Sequence, residues 1–360
     1  MAKAVDAEDI KLILKMAELE LKTLAGERVF LTGCTGFFGK WITQGLLAAD
    51  DLWELNLKLA VVTRDRQRAL QDSPWLRDRQ NVEWIDGDIR NLDVRGQFDT
   101  VIHAAAAASR DLNEEQPELM FDTIVDGTKE VLKIAGRGTC RRFIFVSSGA
   151  VYGVQPSELS HVPESYPGAP DPLAPKSAYG EAKRAAEFLC SNFARRENVP
   201  VKIARCYAFV GPYLPLNSHF AVGNFIRDVL AEKPIHVEGD GTSVRSYLYA
   251  ADMVVWLMKI LVNGQTCNAY NVGSGEAISI KDLAWKTHEA GCHFVSTRTQ
   301  LLNPVLIGKS LAQGGLPQAY VPSVVRAREE LGLKIYTSLP HALIKTLSWQ
   351  GHEKLAGDGS

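Results

Sequence analysis

An α/β fold, a doubly wound parallel sheet with a smaller C-terminal lobe, is predicted by three observations on the sequence. Apolar runs of strand length alternate with helical segments from Arg28 to about Gly211. The stretch TGCTGFFGKW, Thr32 to Trp41, places three glycines at the first strand-to-helix junction. Beyond Gly211 the pattern shortens and becomes irregular, which marks a second lobe with segments able to return to the main sheet.

Residues 8–25 carry Ile10, Ile13, Leu14, Ala17, Leu21 and Leu24 at helical spacing. They predict a helix on the domain's flank, with a partner-binding helix as the alternative. RVFLTG is the first strand and GKWITQGLLAADDLW a helix. LKLAVVTR is the second strand, followed by a short polar helix or loop. NVEWIDGDI is the third strand and FDTVIHAAA the fourth. PELMFDTIVDGTKEVLKIAG is a helix, RRFIFVSSGAVYG a strand, and residues 155–176 a proline-rich loop. AYGEAKRAAEFLCSNFARREN is a long helix, and VKIARCYAFVG a further strand. Short apolar strands separated by helices place helices on both faces of a parallel sheet.

The 360 residues are 46% hydrophobic and 23% charged, with a net charge of −2, the profile of a soluble globular chain. Near-neutral charge gives no basis for non-specific nucleic-acid or membrane-surface binding. No apolar run reaches the roughly 18–20 residues of a membrane span. The opening MAKAVDAEDIK has no basic start followed by an apolar core. Cys34, Cys140, Cys190, Cys206, Cys267 and Cys292 form no C-x-x-C pair. A cytoplasmic protein with reduced cysteines is expected.

The glycine loop reads as a phosphate cradle. Gly33 permits the tight turn, Gly36 lets the backbone approach a pyrophosphate, and Gly39 lets the new helix pack on the sheet. The helix start near Phe38 offers free N–H groups and a positive dipole end. Thr35, Phe37 and Phe38 belong to the same cradle. Asp88, with Ile89 in GDI after the third strand, is placed to meet the adenine. The second strand ends in Thr63 and Arg64, where an acidic residue would bind the ribose 2′-hydroxyl of NAD(H). An arginine there suits the 2′-phosphate of NADP(H), which the reading favours, although Asp65 one step on serves NAD(H).

Tyr179 and Lys183, in SAYGEAK, lie one turn apart on one helix face. An ammonium near a phenol favours the phenolate, which fits Tyr179 for general acid–base work. Ser147 and Ser148, in FVSSGAVYG, end a strand one crossover earlier, at the carboxyl edge that lines the ligand crevice.

With these residues in place the sequence resembles the extended short-chain dehydrogenase/reductases, in their NAD(P)-dependent nucleotide-sugar epimerase/dehydratase branch. TGCTGFFG, GDI, HAAA, VSSGAVYG, YGEAK, GNFIRDVL, GDGTSVRSYLYAADM and YNVGSGEAISI carry the resemblance from about Arg28 to Leu333. It implies a Rossmann-type NAD(P)-binding domain over 27–210 and a nucleotide-sugar-binding lobe mainly over 211–350, after the N-terminal helical extension that the apolar spacing places in 1–26. It implies Ser148, Tyr179 and Lys183 as the catalytic trio, with Tyr179 and Lys183 also binding the cofactor and Ser147, Ala104 and Ala105 on the cofactor side. It further implies that Ser148, Gly149, Ala150, Asn224 and Arg245 face the nucleotide-diphosphate sugar, with Arg245 clamping its diphosphate. His103 reads as cofactor-side packing and Asp252 as a structural anchor. The resemblance also implies a homodimer through helices at roughly 178–197 and 117–136, including Ala182, Ala186 and Leu189.

The reaction is read from two positions. In the resembling dehydratases an Asp-Glu pair follows the Ser/Thr, and in UDP-glucuronate decarboxylases a Glu stands at the second place. Here the pair is Gly149 and Ala150, neither of which moves a proton. Two reactions need only Tyr179 and a nicotinamide: 4-epimerisation, and reduction of a 4-keto sugar nucleotide by NADPH. They stand level, with dehydration or decarboxylation as the alternative and a non-catalytic NADP(H) sensor or scaffold as the rival of another class. Ala208 stands where epimerases of the branch have Asn, and Ile124 where the family often has Asn. His161, Glu164 and Tyr166 sit in the 155–176 loop, read as a lid or plain loop with one of them available to the sugar.

Overall fold

The structure, a computed structural model, describes residues 3–105, 110–218, 220–292, 304–308 and 318–357. The predicted N-terminal helix is two. α1 (Ala7–Met16) is capped by Asp6, whose carboxylate accepts the Glu8 N–H; the turn breaks at Ala17 before α2 (Glu18–Lys22). The break turns Glu20 and Leu21 inward. Asp9 is also buried, accepting from the Tyr249 hydroxyl at 2.6 Å and Lys345 Nζ at 2.9 Å. These helices pack within the chain, with Ile13 against Gly45.

The alternation then runs β1 (Arg28–Thr32), α3 (Phe37–Trp53), β2 (Lys58–Thr63), α4 (Arg66–Asp72), β3 (Val82–Asp86) and β4 (Thr100–His103). It continues through α5 (Arg110–Glu115), α6 (Pro117–Ala135), β5 (Arg142–Ser148), α7 (Ala178–Glu197) and β6 (Val201–Cys206). Local chemistry sets the ends. Asp65 caps α4, Pro117 opens α6 where its missing N–H costs nothing, and Asn198 closes α7 in the left-handed conformation. VKIARCYAFVG, expected as one strand, is split at Tyr207 into β6 and β7 (Ala208–Val210).

The second half adds α8 (Ala221–Leu230), β8 (Ile235–Val237), β9 (Val244–Arg245), β10 (Tyr247–Tyr249), α9 (Ala250–Asn263) and β11 (Ala269–Val272). It ends with β12 (Ile278–Ser279), α10 (Ile280–Gly291), β13 (Val305–Ile307), β14 (Ala319–Tyr320), α11 (Val325–Leu331) and α12 (Leu339–Gly357). The main sheet has seven strands, in the order β11-β6-β5-β4-β1-β2-β3, and every pairing is parallel. β11 is thus a segment of the second half that returns to the main sheet.

Both faces are covered, so strand residues alternate between two cores. Val29, Leu31, Ile144 and Val146 join the cluster with Trp41 and Leu257; Phe30, Phe143 and Phe145 join the one with Ala182, Ala186 and Phe193. Strand order reverses between β1 and β4, which places the ligand crevice at their carboxyl ends. No described helix is long and apolar enough to cross a membrane.

Candidate active site

The crevice floor is built where β1 and β4 part. Gly33 has φ +76°, and a Cβ there would lie 2.8 Å from the Ala104 carbonyl; one on Gly39 would lie 2.1 Å from the Gly33 oxygen. Only glycine allows these approaches. Gly36 is the N-cap of α3, exposed and without a side-chain cap, and a Cβ on it would meet nothing nearer than 3.5 Å. The first N–H groups of α3 therefore face open space at a positive helix end, the fit a pyrophosphate needs. Thr35 is exposed, Phe37 and Phe38 are half-buried, and the helix starts at Phe37.

At the adenosine end, the Thr63 hydroxyl accepts the Asp65 N–H at 3.2 Å, and Asp65 accepts the Arg68 N–H at 2.9 Å as the cap of α4. Arg64 is exposed. Arg90 pairs with Asp88 at 2.8 and 3.0 Å, and this contact first, with Arg64 a lesser influence, holds the Asp88 carboxyl down at about 2. The Ile89 side chain is buried against Gly127.

His103 is a packing residue with a fixed tautomer. Thr128 donates its only hydroxyl proton to the Ile124 carbonyl at 2.7 Å, so His103 Nε2 donates to Thr128 at 3.0 Å. His103 Nδ1 then accepts from Thr32 at 2.8 Å, and Thr32 accepts the Ala105 N–H at 3.1 Å. Burial, then the Lys183 charge, pushes His103 down to about 3, so it is neutral.

Ser148, Tyr179 and Lys183 converge across the end of β5. The Ser148 Oγ accepts the Ala150 N–H at 3.1 Å and acts on the Tyr179 phenol. Burial pushes Tyr179 up to about 12, opposed by Ser148. Lys183 Nζ donates to the Val146 carbonyl at 2.7 Å and lies 5.9 Å from the Tyr179 ring centroid; burial lowers it to about 8. The lysine is thus anchored to the strand, and in this geometry the phenol is governed by burial and Ser148. The Ser147 hydroxyl, expected on the cofactor side, donates to Glu187 at 2.6 Å. Glu187 is itself gripped by Arg205 at 2.7 Å, and Arg205 donates to the Tyr152 hydroxyl at 2.8 Å. Ser147 is an anchor because alternation along β5 sends it to the face opposite Ser148.

Sequence reasoning missed two tyrosines. A Cβ on Gly149 would lie 2.7 Å from both Tyr207 Cζ and Tyr320 Oη. The two rings stack with centroids 4.5 Å apart, and Tyr320 Oη is 3.5 Å from Ser148 Oγ. Tyr320 lies opposite Arg245 in the β14–β9 register, which brings the second half of the chain to the trio. The Arg245 guanidinium donates to the Val244 and Gln318 carbonyls at 2.8 and 3.0 Å. Asn224 accepts from Arg227 on its own helix at 3.3 Å, and no hydrogen bond links it to the trio among the described residues.

The 155–176 loop is fastened rather than lid-like. Gln155 accepts the Val321 N–H at 2.8 Å, Val162 bridges to Pro322, and Glu164 accepts the Asn271 N–H at 2.9 Å. His161 bonds the Gly275 carbonyl at 2.9 Å, and Tyr166 packs on Tyr152. These three side chains are engaged within the fold. Asp252 anchors the start of the C-terminal segment, accepting the Tyr336 and Thr337 N–H groups at 2.6 and 3.0 Å.

A glycine cradle at the switch point, with a Ser-Tyr-Lys trio at the adjoining strand ends, defines an extended short-chain dehydrogenase/reductase. The chain belongs to the NAD dependent epimerase/dehydratase family, whose model matches residues 29–273. UDP-glucuronic acid decarboxylase 2 of Arabidopsis thaliana is 31% identical over 259 residues, 72% of this chain but 56% of that protein's length. The chain thus spans little more than half of that relative. UDP-glucuronic acid decarboxylase 5 of the same plant is 28% identical, with 87% of each chain covered. Among solved structures, UDP-glucose 4-epimerase of Thermotoga maritima, in complex with UDP-glucose, aligns with a TM-score of 0.73 at 23% identity, covering 91% of this chain and 99% of that one. The dTDP-glucose 4,6-dehydratase of Bacillus anthracis, in complex with NAD, gives 0.71 at 18% identity, covering 91% and 97%.

Proposed function

We propose that this chain exchanges a hydride at C4 of a nucleotide-diphosphate sugar without eliminating water or carbon dioxide, as a 4-epimerase or a 4-ketoreductase. The observation that carries the reading is the filling of the space beside Ser148. Gly149 and Ala150 offer no acid, and the Tyr207–Tyr320 pair occupies the volume a side chain at 149 would need. Tyr179 is left as the proton carrier, with Ser148 holding the reacting oxygen and Lys183 anchored beneath both. Arg245 and Asn224 are assigned to the diphosphate.

A nicotinamide dinucleotide would be held by Gly33, Gly36 and Gly39 and would supply hydride acceptance and donation. Arg64 favours NADP(H), because it is exposed at the tip of β2 while the neighbouring Asp65 is committed to capping α4.

A second reading, UDP-glucuronate decarboxylation, is favoured by the names of the curated relatives. One set of assays separates the readings. The cofactor released on denaturation is identified, and the protein is given UDP- and GDP-hexoses without reductant, a 4-keto-6-deoxy nucleotide sugar with NADPH, and UDP-glucuronate. Epimer formation or NADPH consumption, abolished by Tyr179→Phe, is the expected result. Carbon dioxide release from UDP-glucuronate overturns it in favour of the second reading.

A further inference from the structure

We propose that Tyr320 is a positioning residue for proton transfer, orienting the Ser148 hydroxyl onto Tyr179 from the far end of the chain. The inference rests on the role of Tyr179 proposed above.

The argument is one of hydrogen-bond supply. A serine hydroxyl has two acceptor sites and one proton. The Ala150 N–H fills one acceptor site of Ser148 at 3.1 Å, and the Tyr320 hydroxyl stands 3.5 Å from the same oxygen. When Tyr320 donates into the second site, the single Ser148 proton is left for Tyr179. The separation is long for a hydroxyl pair, as catalytic hydrogen bonds are before substrate tightens them. Donation into Ser148 polarises its O–H and strengthens its bond to the phenol, favouring phenolate.

The site has need of such a group. Tyr179 is faced by Lys183 from its own helix, Ser148 from β5, the Cys206 thiol from β6 and Tyr320 from β14, with Arg245 of β9 beside Tyr320. Lys183 donates to the Val146 carbonyl, and Cys206 works against ionisation of the phenol. Ser148 pulls down both the Tyr179 and the Tyr320 phenol, so its one proton is shared between them, and Tyr320 tunes Tyr179 by taking the donor role toward Ser148. Tyr320 is held for that task by pairing with Arg245, by stacking on Tyr207 and by the Gln155 and Val162 contacts on the two residues that follow it.

Tyr320→Phe tests this while keeping the ring that stacks on Tyr207. On the nucleotide sugar found to turn over, kcat is expected to fall about tenfold, with KM and affinity for the matching nucleoside diphosphate within about twofold. The pH limb of kcat that belongs to Tyr179 should move upward by about half a unit or more. In a Ser148→Ala background the same change should have no further effect, because the path through Ser148 is already cut. An unchanged kcat and limb, a loss confined to KM, or an equal loss in the Ser148→Ala background overturns the proposal. A readout independent of turnover is the carbon-13 Cζ resonance of Tyr179, assigned by its disappearance in Tyr179→Phe. It should move in the same direction in Tyr320→Phe and Ser148→Ala. If the wild type turns over no nucleotide sugar, the C4 reading fails, while a Cζ resonance unmoved by Tyr320→Phe separately sinks the coupling.

Discussion

Gly149 shows how one missing side chain shapes a site. The two phenols that close on it leave no room for a Cβ, let alone a carboxylate. Gly149→Ala should therefore cost about 1–3 kcal/mol of stability by overpacking, read as a lower urea midpoint, because Tyr207 is buried and stacked and cannot swing away freely. A midpoint equal to wild type would show that the pair yields easily. His103 makes the corresponding statement about pH. Its folded-state ionisation lies at about 3, below the unfolded value near 6.5, so the unfolded chain binds the extra proton. Its contribution is complete above pH 6.5 and is lost as pH falls from about 6.5 toward 3, at up to ~1.4 kcal/mol per pH unit. Urea midpoints across that window should fall less steeply in His103→Asn than in wild type, even though the variant begins less stable for want of the Thr32 and Thr128 partners. Parallel slopes would assign the acid sensitivity to other groups.

Between elements, the coupling of the 155–176 loop to the segment after β14 is what sequence could not announce. Gln155 is buried, and its amide joins Val321 N–H to the Leu159 and Ser160 carbonyls. Gln155→Ala leaves the Val321 N–H without its partner, a penalty of about 1–3 kcal/mol. It should also speed amide exchange at residues 320–323 and lower kcat through Tyr320. Unaltered exchange there would mean that pairing with β9 alone holds the strand. What was legible in the sequence follows the same division. The glycine loop, the Tyr-x-x-x-Lys turn and the serine at the strand end are local patterns, and the strands and the longer helices before Gly211 follow from the alternation of apolar runs with helical segments, whereas the short strands β8 to β14 carry no such pattern. Tyr320 sits in QAYVP, which has no periodicity of its own, and meets Ser148 across 172 residues. Ser147 and Ser148 are neighbours whose opposite duties depend on which face of β5 carries Glu187, a fact about packing. The break at Ala17 was hidden because α1 and α2 together keep apolar residues at helical spacing.

The whole molecule presents an asymmetry. On one face of the sheet α3 is itself covered by α1, with Ile13 of α1 packed on Gly45 of α3; on the other, α6 and α7 pack side by side and carry exposed apolar side chains. The sequence offered Ala182, Ala186 and Leu189 as dimer positions; the two alanines are buried within the protomer's own core and Leu189 is half-buried. The exposed apolar groups on these helices are Phe121 and Phe188, 36% and 70% accessible. Burying a phenylalanine is worth about 1.5–3 kcal/mol, and a twofold axis across α6 and α7 would bury each ring twice over. We propose a homodimer through this face. It would also brace α7, whose first turns carry Tyr179 and Lys183. Sedimentation should show the wild type as a dimer and Phe188→Glu as a monomer at the same concentration, with cofactor affinity kept because the glycine cradle lies at the β1–β4 switch point rather than on these helices. The variant's turnover should fall by a few-fold at most if the brace alone is lost. A wild type that sediments as a monomer, or a dimer indifferent to charge at 188, would remove this face from the assembly.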